Sequence, residues 1–193
     1  MLVSDKYRKY LICFKLSEGD FFSVWGSDLT DNENDKLVVS ENSLIVCSKE
    51  LKALKNYLLL NVDSFFDSNN LRKWLLENGV DESCVSYNLK CIDLLIQRES
   101  NLDEIYDKNN LVKIVDFLNI ALDYSIQTNN LILTNLLERP DLMVFKDYVY
   151  SNFLWKSELG DITLFNQVIF DHKNFYSNLR DVLSILMNSM FFI

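Results

Sequence analysis

Asp171-His172 is the first place in this sequence where chemistry could start, because an imidazole held by a carboxylate can take a proton from a nucleophile. His172 is the only histidine among 193 residues, and no Gly-x-Ser-x-Gly turn or comparable motif supplies a nucleophile for it. It reads as an exposed or capping histidine. Asp31, Glu33 and Asp35 alternate like the opening ligands of a calcium loop. The sixth position of such a loop is Lys36 where glycine is required, and the twelfth is Asn42 where a bidentate acid is required. The run therefore reads as a solvated loop or a protein-contact patch. Gly19, Gly26, Gly79 and Gly160 never cluster, which excludes a glycine-rich turn that brings backbone N–H groups up to a phosphate. Cys13, Cys47, Cys84 and Cys91 form no Cys-x-x-Cys pair and no zinc spacing. They read as buried free thiols in a reducing compartment. The expectation is a protein that is not an enzyme, with no catalytic residue, no metal and no cofactor.

Glu50-Leu51-Lys52, with Asp28 upstream, has the acid-x-lysine order from which metal-dependent nuclease sites are built. Here Leu51, Leu54 and Leu58 place that tripeptide on an amphipathic helix, and the chain's own charge argues against a nucleic-acid substrate. Formal net charge is -9, from 28 acids against 19 lysines and arginines. Self-repulsion disfavours nucleic acid and anionic membrane surfaces, whereas a basic protein partner would be steered toward this chain. Solubility is an alternative reason for the same charge. The acid collects in two stretches, Asp28, Asp31, Glu33 and Asp35 in the first and Glu99, Asp103, Glu104 and Asp107 in the second. These eight residues are the candidate partner-binding surface. Acids just before a helix start also stabilise its positive end, which accounts for the second stretch without a partner.

The elements that must position these residues are legible in outline. Tyr7 to Leu16 alternates in strand-favouring residues, Ser17 to Asp20 turns, and Phe21 to Trp25 returns as a second strand. Gly26 to Lys36 reads as a polar loop, and Leu37 to Val39 and Leu44 to Cys47 as short strands. Ser48 then reads as the N-cap of a helix carrying Leu51, Leu54 and Leu58. Asn69-Asn70-Leu71, Asn109-Asn110-Leu111 and Asn129-Asn130-Leu131 each precede an apolar periodic run and mark helix starts. One helix is expected to stop at Gly79 in the left-handed conformation, and Val85 to Tyr87 to form a further strand. Leu111, Ile114, Val115, Leu118, Leu122 and Ile126 define one helix face, another helix ends near Arg139 before Pro140, and Leu142 to Trp155 reads as helix, with strand as the alternative that its Val, Phe and Tyr content leaves open. Asn174 to Ile193 is apolar at Leu179, Val182, Leu183, Leu186, Met187 and Met190, but too polar at Arg180 and Asp181 to span a bilayer. The expected fold is α+β: a single domain with an N-terminal antiparallel β-meander over 1–47 and a mainly α-helical region over 48–193. No secretory signal is read in Met1 to Tyr10, so a cytoplasmic protein is expected.

Leu44-Ile45-Val46-Cys47-Ser48 feeding a helix, Phe117 to Asp123 on a later helix, and Phe145 to Leu154 with Tyr148, Tyr150 and Asn152 carry a resemblance. In this arrangement the chain is similar to immunity proteins of contact-dependent growth inhibition and related polymorphic toxin systems. The resemblance implies a small cytoplasmic protein that binds and neutralises a cognate toxin domain, and a nuclease-like toxin would be basic. Carboxylates would then occupy the toxin's nucleic-acid groove while aromatic anchors slow dissociation. No nucleic acid or membrane is expected as a partner. A general acidic adaptor, or an enzyme working with carboxylates alone, shares the composition.

Overall fold

The β-branched and aromatic run at the start of the chain folds into an antiparallel meander. A computed structural model describes residues 1–98, 107–155 and 171–193, and the fold is α+β. The residues gather into two units, Met1–Asn88 together with Met187–Ile193, and Leu89–Leu186.

In the first unit a short helix, Val3–Tyr7 (α1), leads into strands Lys9–Leu16 (β1), Gly19–Asp28 (β2) and Asn34–Leu37 (β3). A later strand, Val85–Tyr87 (β5), lies parallel to β1, so the sheet order is β3-β2-β1-β5. Ile45–Cys47 (β4) is followed by helices Leu51–Leu60 (α2) and Ser68–Leu76 (α3). Tyr7, Leu11, Val24, Val46, Leu54, Leu58, Leu71 and Trp74 form one buried cluster between sheet and helices. The period-2 spacing of the strands and the 3.6-residue spacing of the helices thus meet in a single core.

Several local expectations are corrected. Gly26 to Lys36 is not all loop: β2 continues through Asp28, and Asn34 to Leu37 pair with it, Gly26 facing Lys36 and Asp28 facing Asn34. Backbone pairing tolerates polar side chains on an exposed edge, so polarity alone misplaced the boundary. Gly26 itself is needed for close approach, because a Cβ there would meet the Arg8 carbonyl oxygen at 2.2 Å. The left-handed residue after α3 is Asn78, with φ 60°, not Gly79. Gly79 is small for a packing reason, since its Cβ would fall 2.0 Å from Nε1 of the buried Trp74 indole. The N-cap of α2 is Glu50, not Ser48, which bridges to Phe22 in the sheet. At the first two asparagine triplets an aspartate takes the N-cap position, Asp67 and Asp107, and of the three triplets the last alone supplies the cap itself, Asn130 accepting from Leu133 N–H at 3.1 Å. The last residues do not continue as helix: Met190–Phe192 forms a strand (β6) parallel to β4, Ile45 facing Met190.

The second unit is helical: Leu89–Gln97 (α4), Lys108–Gln127 (α5), Leu131–Leu137 (α6), Pro140–Val149 (α7) and most of His172–Asn188 (α8). Pro140 opens α7 at its first turn, where its missing N–H costs nothing. The expected face of α5 is buried from Leu111 to Leu118, then rotates to Ala121 and Tyr124, leaving Ile126 exposed. Phe145 and Phe175 pack with ring centroids 4.8 Å apart, and Asn119 donates to the Tyr150 hydroxyl at 2.6 Å. Among the described residues no helix is long and apolar enough to cross a membrane.

Candidate partner-binding surface

The first acidic stretch occupies the end of the β2–β3 hairpin. Asn32 and Glu33 both adopt left-handed backbone, φ 50° and 59°, which turns the chain sharply between the strands. Backbone hydrogen bonds from Asp31 and Glu33 N–H to the Asp28 carbonyl, at 3.1 and 3.0 Å, close the turn. Asp28 ends β2 with its side chain buried. It accepts from Lys36 Nζ at 2.8 Å and from the Thr30 hydroxyl at 2.6 Å. Burial pushes the Asp28 carboxyl up, but the bonds from Lys36 and Thr30 outweigh it and hold the group below the usual carboxylate value. Lys36 also donates to Asp31 at 2.7 Å, and this ammonium lowers the Asp31 carboxyl. Burial opposes the charge on Lys36, yet its two carboxylates raise it above the usual lysine value.

Every acid predicted here therefore has an internal partner. Glu33 pairs with Arg8 at 2.5 Å, and Asp35 accepts from the Ser27 hydroxyl at 2.8 Å. Four carboxylates still face only two cations, so the hairpin end keeps a negative excess. Asp31, Glu33 and Asp35 are exposed, while Asp28 holds the turn from inside.

Beneath the hairpin lies a pair that the sequence reading missed. Lys9 and Asp67 meet at 2.7 Å with side-chain exposures of 0% and 1%. The ammonium also donates to the backbone carbonyls of Ser27 at 2.7 Å and Tyr7 at 3.2 Å, so all three of its protons have acceptors. Burial lowers the Lys9 pKa more than Asp67 raises it. Asp67 in turn accepts from the Asn70 amide at 3.0 Å. A signal for this was present: Lys9 shares its strand parity with Leu11 and Cys13, and a cation on a core-facing parity requires a buried partner.

The second stretch resolves differently. Asp107 is the N-cap of α5, and its side chain accepts from Asn109 N–H, which fits local helix stabilisation. Glu99, Asp103 and Glu104 lie outside the described residues. Asp107 belongs to the second unit and the hairpin to the first.

The remaining candidates take structural places. Asp171 precedes α8 and accepts from Asn174 N–H at 3.1 Å, which leaves it a cap. Burial lowers the pKa of His172 against the pull of Asp171. Glu50 caps α2 by position, and Lys52 points to solvent. Cys13 and Cys47 are buried thiols, pushed by burial up to about 11 and about 12, but Cys84 is exposed and Cys91 half-buried, correcting the expectation for those two. Cys91 lies on α4, where Leu89, Ile92, Leu95 and Ile96 take the buried positions, and Cys84 immediately precedes β5. Among the described residues no group of three or more His, Cys, Asp or Glu could hold a metal ion.

No family model and no curated protein matches the chain. Its structure is similar to the C-terminal domain of SatS, solved in complex with bromine, with a TM-score of 0.62 and 13% sequence identity over 98% of this chain and 96% of that one. At that identity the likeness is one of fold.

Proposed function

We propose that this chain is a binding protein that neutralises a basic toxin domain by direct contact, as an immunity protein would. The observation that carries the reading is the β2–β3 hairpin end. It presents three exposed carboxylates on a turn already fixed by Lys36, Asp28 and the buried Lys9–Asp67 pair. A surface ordered before encounter loses little side-chain entropy on binding, and a negative excess accelerates association with a basic partner.

The test is rescue. Where the neighbouring gene encodes a secreted protein ending in a toxin domain, cells expressing that domain should survive when the wild-type chain is co-expressed, and the two proteins should co-purify. The triple variant D31N/E33Q/D35N should associate about tenfold more slowly at low salt, with the difference shrinking as salt screens it. Lack of rescue by the wild type overturns the reading, and an unchanged rate for the triple variant removes the hairpin from the interface.

One observation favours the carboxylate-enzyme alternative. Asp141 and Asp171 both line a cavity of about 440 Å³ in the second unit, together with Arg139, Asn174 and Asn178. Asp141 accepts from the Asn178 amide at 3.0 Å and Asp171 caps α8, so both carboxylates already serve the fold. The cavity gives weaker support than the hairpin.

A further inference from the structure

The first unit contains a second acid whose situation is the reverse of the hairpin's. Val39 bridges to Ile45, and between them Ser40 N–H donates to the Leu44 carbonyl at 2.7 Å while Ser43 N–H donates to the Ser40 carbonyl at 2.8 Å. Ser43 is left-handed at φ 61°, so Glu41-Asn42-Ser43 forms a tight three-residue hairpin loop. Glu41 is exposed at its tip and makes no ion pair among the described residues. Next to it a cavity of about 410 Å³ is walled by Tyr57, Phe65 and Phe191, with Glu41, Asn42 and Asn61 at its polar side. The Tyr57 ring centroid lies 6.4 Å from that of Phe65 and 6.3 Å from that of Phe191, both tilted.

Each wall is fixed by a different device. Phe65 is buried in the core. Tyr57 sits on α2, and Asn61 holds the end of that helix by donating to the Tyr57 carbonyl at 2.8 Å. Phe191 is carried by β6, whose pairing puts it beside Val46, and it stays 38% exposed. Three aromatic rings and one carboxylate without an ion pair among the described residues form a site with a specific complement. Ring faces are negative and attract a cation, and the carboxylate adds a charge-assisted hydrogen bond. Among the described residues Glu41 is the one charged residue lining the cavity.

We propose that this pocket anchors a basic side chain of the protein partner, arginine above lysine, because a planar guanidinium can lie on a ring face while forking to a carboxylate. The inference rests on the reading that the partner is basic, and it adds the aromatic anchor that the charged hairpin lacks. Hot spots in interfaces are pockets of this type, whereas exposed charges chiefly set the approach.

The test uses the full chain, labelled with 15N and titrated with Nα-acetyl-arginine amide, with the uncharged isostere citrulline amide as the control. Amide shifts should centre on Glu41, Asn42, Tyr57, Asn61 and Phe191, and the citrulline compound should bind at least about tenfold more weakly. E41Q and Y57L should each abolish the site-centred shifts while the rest of the spectrum stays native, whereas Y57F should keep them. Equal binding of the two compounds, or shifts elsewhere only, overturns the proposal. The titration does not involve the toxin, so a pocket that binds arginine amide without rescue of toxin-expressing cells would separate this inference from the functional reading.

Discussion

Two lysines a few residues from the same hairpin make the same kind of bond in opposite surroundings. Lys9 meets Asp67 with neither side chain reaching solvent, while Lys36 reaches water and bridges the buried Asp28 to Asp31, which is half open to water. Inside, the charge has lost its hydration and depends on three fixed acceptors, so removing one partner strands the other. Outside, water replaces whatever is lost, and the bond mostly sets the shape of the turn. The same ion pair is therefore structural in one place and conformational in the other. Beyond both, Glu33 with Arg8 is the most exposed of the three pairings, and Glu41 has no cation among the described residues. From buried to exposed, the same bond passes from holding the fold to shaping its surface.

The largest loss of stability is expected at Lys9. K9M leaves Asp67 buried without its cation and should cost about 3–5 kcal/mol in urea unfolding. K9M/D67N removes both charges and should recover most of that loss. A single variant within about 1 kcal/mol of wild type would mean that water reaches the pair, and the distinction between the two lysines would fall.

A smaller effect is expected at Asp28, whose carboxylate is buried but bonded to a lysine that reaches solvent. D28N should cost about 1–2 kcal/mol at neutral pH. The pH dependence follows from the sign of the shift. Asp28 is held below its ordinary 3.8 in the folded chain, so its stabilisation is present above that value and is lost as pH falls through the folded value. The unfolding free energy of wild type should therefore fall more steeply than that of D28N as pH drops below about 4. Parallel curves for the two proteins would show that the Lys36 bond does not distinguish protonation states.

The smallest effect is expected at the exposed Glu33. E33Q should shift stability by no more than about 0.5 kcal/mol, since an exposed pair with arginine contributes little. A loss above about 1 kcal/mol would make the Arg8–Glu33 pair part of the fold and remove Glu33 from the residues available to a partner.

Much of the architecture was legible along the chain because it rests on local period. The β1–β2 hairpin, the three helix starts and the buried stripe of α8 from Leu179 to Leu186 follow from alternation or from the 3.6-residue repeat. The errors fall where polar residues join a strand by backbone pairing, as in Asn34 to Lys36, or where a side chain far away in sequence sets the requirement, as Trp74 does for Gly79. The candidate site was half legible. Composition placed acid at the hairpin, but the partners that neutralise it, Arg8, Ser27 and Lys36, are brought there by strand register.

By itself the sequence determined the class of fold, the negative excess and the exclusion of glycine-rich phosphate loops, because these depend on residue type and short spacing alone. Only the tertiary structure decided which carboxylates keep charge to offer. Pairing of Lys9 with Asp67 spans 58 positions, and the pocket beside Glu41 needs Phe191 from the last strand set against Tyr57 from the first unit's helix. Such encounters are fixed by packing and register, which bring residues together across distances that no local pattern encodes.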